Sequence, residues 1–562
     1  MAKAHHVFLN LSFLFLVAFF IKTQPSLLPP RRRAINTHLT EQQGCRDFDS
    51  LEDSSSKCAY LRTTDSPCAP PGYVDYLYLF YCLCGDAPPL GYALLSLCLL
   101  LLFYVLGDTA SRYFCSSLDS LSKILGLSPA IAGVTLLSLG NGAPDVFSTI
   151  VSFASSSSVG DVGLSSVLGG AFFVSSVVVG VISVAIGSFS IPIDRSSFVR
   201  DVCFLLLVLC CLLAVLVVGE IGVAGAVLFA SLYVAYVVAV SASSCWRWSG
   251  AGGGLEVPLL DGVEVEEPPA CVPKEVVRAS ARRRAGCCVR SLRVLELPLY
   301  LPRRLTIPDV SEERWSKPYA AASVVLAPIL LAALWDTRQA ATEEADSEGR
   351  LTTYLFAGLV GLVLGMVALE TTESSKPPNK FLLPWLAGGF LMSVVWTYIT
   401  AGELVSLLVS IGHVLGISPS VLGVTVLAWG NSVGDLIANV AMALNGGEDG
   451  AQVAISGCYA GPIFNTLVGL GLSLVLSAWN ARPAPYVIPG DSSLFVTLGF
   501  LMAGLLWALA VLPRRGMKLD RVVGIGLLAI YVCFLCLRIS QSVGLVQICR
   551  QLLHGSKLIM SV

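Results

Sequence analysis

Charged residues are scarce in this sequence. They make up 13% of the 562 residues, whereas 55% are hydrophobic; an average soluble protein has roughly 25% charged residues. A surface in water cannot hide so many apolar side chains, which excludes a soluble globular protein and predicts a membrane protein. An excess of basic charge is also missing, since the formal net charge is −2. We therefore expect no nucleic-acid partner.

Twelve apolar stretches are long enough to cross a bilayer. They lie near residues 90–107, 118–154, 162–187, 202–219, 221–240, 319–335, 352–369, 381–400, 404–444, 452–478, 493–511 and 521–538. The stretches 118–154 and 404–444 are too long for one straight crossing, and Gly, Asn and Pro interrupt both of them. They are predicted to be broken or hinged helices. The fold class that follows is an all-α polytopic membrane protein.

The N-terminal region predicts export. Residues 1–22 contain a short apolar run after Lys3 and predict a signal peptide, although an uncleaved anchor is the alternative. The polar segment 23–89 contains five cysteines, a density that predicts disulfides in a lumenal or extracellular compartment, with free thiols as the alternative. Five cysteines cannot all pair, and the sequence leaves the pairing open. These residues are Cys45, Cys58, Cys68, Cys82 and Cys84.

The charges of the loops predict the orientation and the domain organisation. Basic residues concentrate in the loops that lie on the cytoplasmic side when segment 23–89 is outside, whereas residues 336–350 are mainly acidic. The predicted parts are a first five-span half (90–240), a cytoplasmic linker (241–318), two extra spans (319–370), a second five-span half (381–538) and a tail (539–562). The linker is interpreted as a solvated connector. Contact of its basic residues with anionic lipid, or lipidation of Cys287 and Cys288, is the alternative.

The two halves contain an internal repeat. Residues 127–145 read LSPAIAGVTLLSLGNGAPD and residues 417–435 read ISPSVLGVTVLAWGNSVGD, which match at nine of nineteen positions with an offset of 290. Each half has an odd number of spans, and the two extra spans return the chain to the same side. The second half must therefore be inverted relative to the first. An inverted repeat of five plus five helices, with two broken helices and two linking spans, is typical of secondary transporters with a mid-membrane site.

The repeated motifs place carboxylates inside apolar spans. Asp145 closes Gly-Asn-Gly-Ala-Pro-Asp and Asp435 closes Gly-Asn-Ser-Val-Gly-Asp. An intramembrane Asp costs roughly 2.5 to 3.5 kcal/mol, so two at equivalent positions indicate an ion pathway. Together they could neutralise one divalent ion, and Asn141, Asn431 and Ser432 add the neutral oxygens that calcium accepts. The two asparagines could instead cap half-helices.

Other polar groups in the spans are few. Asn465 lies in the helix after the second motif, where the first copy offers only Ser175, so we expect an asymmetric site. Glu403 opens the second long span and Glu220 lies in a tight outside turn, and both are expected at the membrane interface.

These residues resemble the alpha-repeats of the sodium/calcium exchanger superfamily, and the two motifs are most similar to the plant cation/calcium exchanger branch. The resemblance implies antiport of Ca²⁺ against Na⁺, K⁺ or H⁺, with no catalytic activity and no cofactor beyond the transported ions. The residues that match the family's ion-coordinating set are Ser138, Asn141, Asp145, Asn431, Ser432, Asp435 and Asn465.

The chain also departs from the family's pattern. Asn465 stands where potassium-dependent relatives have an aspartate, which puts co-transport of K⁺ with calcium in doubt. Val174 stands where exchangers often have an asparagine, so fewer counter-ion sites are expected.

Other functions stay open at this point. A monovalent-cation or Mn²⁺/Mg²⁺ transporter could use the same oxygen ligands. A channel or receptor, and an intramembrane aspartic protease with a shared proton, are further classes, although both parts of the protease motif are missing here. The expected partners are the lipid bilayer and small inorganic cations. The expected location is the plasma membrane, the vacuole or another endomembrane.

Overall fold

The computed structural model describes the greater part of the membrane-spanning chain. The described residues are 45, 48–51, 53–62, 68, 72–114, 117, 138–155, 157–187, 192–250, 299–311, 314–339, 347–374, 376–378, 382–445, 450–488 and 492–542. The predicted signal peptide, residues 118–137 of the first long span, most of the predicted linker and most of the tail lie outside these residues.

Helices account for nearly all of the described chain up to residue 250. They are α1 (Ser54–Arg62), α2 (Tyr76–Tyr78), α3 (Pro88–Thr109), α4 (Ser138–Ser155), α5 (Ser157–Phe172), α6 (Val179–Ile186), α7 (Arg195–Val218) and α8 (Val223–Gly250). Three π-helical segments continue such helices, at Leu79–Leu83, Ala110–Phe114 and Phe173–Val178.

The remainder of the described chain is also helical. It contains α9 (Lys317–Gln339), α10 (Ser347–Thr371), α11 (Leu382–Leu415), α12 (Pro419–Leu422), α13 (Ala428–Asn445), α14 (Gly450–Phe464), α15 (Gly471–Asn480), α16 (Ser492–Arg514) and α17 (Arg521–Ser542). Two further π-helical segments lie at Gly423–Leu427 and Asn465–Leu470, and two short strands, β1 (Glu220–Ile221) and β2 (Tyr486–Val487), pair antiparallel.

Eleven helical stretches within the described residues are long and apolar enough to cross a membrane. This confirms the predicted fold class of an all-α polytopic membrane protein. Helix α4, the described part of the first long span, is not among the eleven, because its 18 residues carry the polar motif that ends in Asp145.

The boundary between two predicted spans is wrong. Residues 382–415 form one helix, α11, instead of a span that ends at 400 and a second span that begins at 404. The chain turns instead at Gly416, whose φ of +66° favours glycine. Glu403, expected to open a helix at the membrane interface, lies inside α11 and is buried. Glu220 is exposed.

The expected break at the second motif is also absent. Gly430 and Asp435 both lie within the continuous helix α13, and the departure from α-helical geometry is the π-helical segment Gly423–Leu427, one turn earlier. Packing against neighbouring helices outweighs the low helix propensity of glycine. In the first copy, α4 runs through Pro144, which has no N–H to donate to the carbonyl of Gly140.

The chain divides into two compact units. Unit 1 comprises Met1–Gly126 and Lys274–Ser410, and unit 2 comprises Leu127–Pro273 and Ile411–Val562. Each unit therefore combines segments from both predicted halves. Both repeat motifs lie in unit 2.

Unit 1 contains the cysteine-bearing segment. Disulfides join Cys45 to Cys68 and Cys58 to Cys82, while Cys84 is a buried free thiol. The backbone N–H of Tyr73 and the hydroxyl of Tyr76, at 3.1 Å, donate to the Glu403 carboxylate. These bonds attach the part of the segment between Cys68 and Cys82 to α11 and satisfy the buried carboxylate.

The last part of the predicted linker is buried in unit 1 and is not a solvated connector. Residues 299–306 are helical, and the Arg303 side chain is fully buried. Its Nη1 donates to Asp108 Oδ2 at 2.7 Å and to Thr109 Oγ1 at 3.0 Å, both at the end of α3. A buried arginine needs such partners, because desolvation of an unpaired charge is costly.

Unit 2 has an internal pseudo-two-fold arrangement. Helix α6 packs on α17 as α15 packs on α8, and α7 packs on α14 as α16 packs on α5. Within each pair of contacts, the helices of one contact are related to those of the other by the offset of 290. The connecting loops form corresponding contacts as well. Strand β1 pairs with β2, and Pro192 forms a bridge with Lys518 in the two loops that correspond to them. The duplicated helices thus enclose one common core in unit 2.

Candidate ion-binding site

Asp145 occupies the interior of unit 2. It lies on α4, is 3% exposed, and receives one hydrogen bond on each carboxylate oxygen. The amide of Asn431 on α13 donates to Oδ1 at 2.9 Å, and the amide of Asn465 donates to Oδ2 at 2.8 Å. Both donors come from the second copy of the repeat. The carboxylate therefore joins the two copies.

Glycines allow this close approach. A Cβ atom at Gly142 would lie 2.2 Å from Asn465 Oδ1, so any larger residue there would displace the amide. Gly170 on α5 lies beside the carboxylate, since its Cβ would be 3.6 and 3.7 Å from the Asp145 oxygens and 3.5 Å from Ser432 Oγ. Asn465 is the first residue of a π-helical segment, a feature that is frequent at functional sites.

Several buried oxygen atoms at this site have no hydrogen-bond partner among the described residues. They are Oδ1 of Asn431, Oδ1 of Asn465 and Oγ of Ser432. All three side chains are at least nine-tenths buried. An unsatisfied buried oxygen is costly, and amide and hydroxyl oxygens are the neutral ligands that hard cations accept. The donor set thus fits a small cation.

Asp435 lies on α13, four residues after Asn431, and is partly exposed. Its carboxylate interacts electrostatically with that of Asp145. The backbone carbonyl of Asp435 accepts a hydrogen bond from Asn439 Nδ2 at 2.9 Å, just as the carbonyl of Asp145 accepts one from Thr149 Oγ1 at 2.7 Å. The two backbone carbonyls therefore accept corresponding hydrogen bonds, and among the described side chains the amide donors reach the carboxylate of Asp145.

Asp145 and Asp435 differ in charge pairing from three buried aspartates elsewhere in the chain. Asp108, Asp201 and Asp309 each form an ion pair with at least one arginine. Among the described residues, no basic side chain pairs with Asp145 or Asp435. Since buried charges are normally paired or bound to metal ions, the buried Asp145 carboxylate lacks the positive charge that a cation would supply.

The other predicted site residues have different placements. Ser138 is buried in the first turn of α4, and the side chain of Asn141 lies outside the part of the chain that the structure describes. Ser175, the counterpart of Asn465, donates to the carbonyl of Ala171 at 2.7 Å, within its own helix, and the asymmetry of the ion site stays a prediction. Val174 is buried. The seven residues as an ion-coordinating set remain a prediction.

The sequence reasoning overlooked Ser148. Its Oγ accepts a second hydrogen bond from Asn431 Nδ2 at 3.2 Å and donates to the carbonyl of Asp145 at 3.0 Å. It thereby fixes the amide that faces the carboxylate. The available signal was the helical spacing, since a residue three positions after Asp145 lies on the same helix face.

Taken together, the spans and this interior define a multi-pass integral membrane protein with buried carboxylates in its core. A family model described as sodium/calcium exchanger protein matches residues 95–242 and 385–540. The chain belongs to this family.

Individual relatives agree with the resemblance to plant cation/calcium exchangers. The chain is 51% identical over 558 residues to cation/calcium exchanger 1 of Arabidopsis thaliana, covering 95% of this chain and 96% of that protein. It is 50% identical to cation/calcium exchanger 2 of the same plant, with 90% and 92% coverage. It is 30% identical to the human mitochondrial sodium/calcium exchanger protein, with 93% and 94% coverage.

Proposed function

We propose that the protein is a secondary-active antiporter that exchanges Ca²⁺ for a monovalent cation at a site built from Asp145 and Asp435. The observation that carries the proposal is the missing basic partner: no basic side chain among the described residues pairs with either carboxylate, whereas the buried Asp108, Asp201 and Asp309 are paired with arginines. The names of the relatives, which are cation/calcium and sodium/calcium exchangers, support the same function.

The charge and the ligands favour a divalent cargo. Two carboxylates provide a charge of −2, which one Ca²⁺ neutralises. Ser432, Asn431 and Asn465 supply neutral oxygens, and Ser138 and Asn141 complete the set by their position in the first motif. Calcium takes six to eight oxygen ligands. In the structure the amides of Asn431 and Asn465 direct their N–H groups at Asp145. In this proposal both amides rotate when the ion binds, so that their oxygens face the ion.

Exchange, rather than passive flow, follows from the cost of an empty site. The two carboxylates repel each other when both are charged, and desolvation disfavours the charge of the buried Asp145. A site that has released Ca²⁺ is therefore stabilised by taking up another cation before it reopens on the first side. The pseudo-two-fold packing of unit 2 supports two such alternating states, as expected for inverted repeats.

The test is calcium uptake into vesicles that contain the purified protein. Radiolabelled Ca²⁺ uptake is measured under an outward Na⁺, K⁺ or H⁺ gradient in turn. We expect one gradient to accelerate uptake, and Asp145→Asn and Asp435→Asn to reduce uptake to the level of protein-free vesicles. Glu220→Gln removes an exposed carboxylate and serves as the matched control.

The outcomes are distinct. A rate of Ca²⁺ uptake that is the same under every gradient would indicate a channel and contradict antiport. Normal gradient-driven uptake in both aspartate variants would refute the site. Competition by excess Mn²⁺, Mg²⁺ or monovalent ions, measured in the same vesicles, identifies the preferred cargo, because oxygen ligands alone do not select among hard cations.

A further inference from the structure

Unit 1 contains an apolar groove between α9, α10 and α11. Its volume is about 410 Å³. Thirteen of its fourteen lining residues are apolar or glycine, and the exception is Thr371. The residues used below are Leu331 on α9, Leu364 and Val367 on α10, and Trp385, Gly388 and Leu391 on α11.

The groove opens to the outside of unit 1. Leu331, Leu364, Val367 and Leu391 are all substantially exposed, whereas Trp385 at the end of the groove is 9% exposed. Because these residues belong to helices that are long and apolar enough to cross a membrane, the open side faces hydrocarbon. From Leu382 to Met392 the helix rises about 15 Å, so the groove is deep enough for part of an extended acyl chain.

The end of the groove at Trp385, called its mouth below, contains side chains that are typical of a membrane interface. Trp385 stacks edge-on against Trp315, with ring centroids 6.2 Å apart, and Trp315 Nε1 donates to the carbonyl of Glu373 at 3.1 Å. Tryptophans of this kind are typical of the headgroup level. The mouth therefore lies where helices α9 and α11 begin and α10 ends.

A lysine without an ion-pair partner in the described part of the chain lies at this mouth. Lys317 Nζ donates to the carbonyl of Thr372 at 2.7 Å, next to the lining residue Thr371. Among the described residues, Lys317 forms no ion pair, whereas the nearby Arg304 and Arg314 both pair with Asp309. A lysine ammonium has three N–H donors, and the structure uses one of them. The remaining donors can bind an anionic group.

We infer that the groove binds one anionic phospholipid, with an acyl chain along α11 and the headgroup phosphate at Lys317. The predicted topology assigns the mouth to the cytoplasmic leaflet, whose anionic lipids attract basic residues at the membrane surface. This inference concerns unit 1 alone and does not depend on the ion site.

The test is lipid retention by the full-length protein. The protein is exchanged into mixtures of phosphatidylglycerol and phosphatidylcholine with identical acyl chains, extracted in mild detergent and examined by native mass spectrometry. We expect one retained lipid, with phosphatidylglycerol preferred about fivefold, the ratio that about 1 kcal/mol per basic residue gives. Lys317→Gln should abolish this preference, and Lys518→Gln, an exposed lysine at another loop, should not.

Filling the groove tests the position of the acyl chain. Gly388→Leu should prevent retention, because a Cβ there has no neighbour closer than 3.8 Å and points into the groove's space. Gly358→Leu is the matched control, since a Cβ there meets nothing within 4 Å and Gly358 does not line the groove. The smaller Gly388→Val replaces the first variant if that one does not elute as a single species.

Three results would overturn the inference. They are equal retention of both lipids by the unmodified protein, which would indicate an uncharged occupant, unchanged retention in the Gly388 variants, and no retained lipid at all. None of these measurements involves calcium transport, so failure here and failure of the proposed antiport are distinguishable.

Discussion

Gly142→Ala offers a sharp test of the site, because it changes a residue that carries no functional group. The added Cβ would lie 2.2 Å from Asn465 Oδ1 and 3.3 Å from Phe464 Cδ1. The neighbouring π-helical backbone fixes Asn465, so the amide side chain must move. The movement breaks the hydrogen bond of 2.8 Å to Asp145 Oδ2 and displaces a proposed ligand oxygen.

The size of the effect follows from the displaced ligand oxygen, because the Asn465 amide oxygen faces the ion in the proposed bound state. Loss of a polar contact with a charged group costs about 1.5 to 3 kcal/mol, the range for hydrogen bonds to charged groups, and every 1.4 kcal/mol corresponds to about tenfold in affinity. We therefore expect the apparent affinity for Ca²⁺ to fall about 10- to 100-fold. Helix stability should not fall through backbone propensity, because alanine is about 1 kcal/mol better than glycine in a helix.

The assay is the Ca²⁺ concentration dependence of gradient-driven uptake into vesicles, with protein abundance measured in parallel. Gly434→Ala and Gly461→Ala are matched controls on α13 and α14, since a Cβ at either position meets nothing within 4 Å. Both should retain the affinity of the unmodified protein. Unchanged affinity in Gly142→Ala, or an equal loss in the two controls, would refute the role of Asn465.

Two further substitutions test the site and the buried linker segment. Asn465→Asp adds a third carboxylate beside Asp145 and should increase the dependence of uptake on monovalent cations, measured by titrating K⁺ and Na⁺ in vesicles; unchanged dependence would place Asn465 outside the ion site. Arg303→Met leaves Asp108 with Arg112 as its remaining described ion-pair partner and should destabilise the protein by about 3 kcal/mol, the lower end of the range for a broken buried ion pair, because Arg112 still compensates part of the charge. Thermal unfolding in detergent measures this loss, which a second change, Asp108→Asn, should partly reverse; unaltered stability would contradict the structural role of the pair.

Composition and periodicity predicted the helical spans well, because a helix that crosses a bilayer must be long and apolar. The offset of 290 also identified the two motifs that meet in unit 2. The positions of the turns were harder to predict from the sequence. The sequence around Glu403 suggests an interface, since a carboxylate inside an apolar span is costly. In the structure Tyr73 and Tyr76 satisfy this carboxylate, and no local pattern reveals partners that are 330 and 327 residues away.

Glycine-rich motifs were misleading for a related reason. Propensity treats Gly430 and Gly434 as helix breakers, yet α13 is continuous through both. Their lack of side chains affects the surroundings more than the backbone conformation. Gly142 and Gly170 show this directly, because both admit polar groups of other helices to Asp145. The sequence shows where a glycine is, but not which group of another helix packs against it.

The two aspartates differ in their hydrogen-bond donors, and the similarity of the two motifs does not predict this difference. Asp145 and Asp435 occupy equivalent positions, and an exact two-fold would give each an asparagine from the opposite motif and a donor from the following helix. Asp145 has both, in Asn431 and Asn465. The counterpart of Asn465 is Ser175, whose hydroxyl is already bonded to its own helix. Asp435 therefore lacks that donor, so among the described side chains its carboxylate has fewer hydrogen-bond donors than Asp145 in the protein without ions. Fewer donors leave more of the negative charge of Asp435 available to attract a cation. We therefore expect Asp435 to be the first of the two aspartates to bind an entering ion.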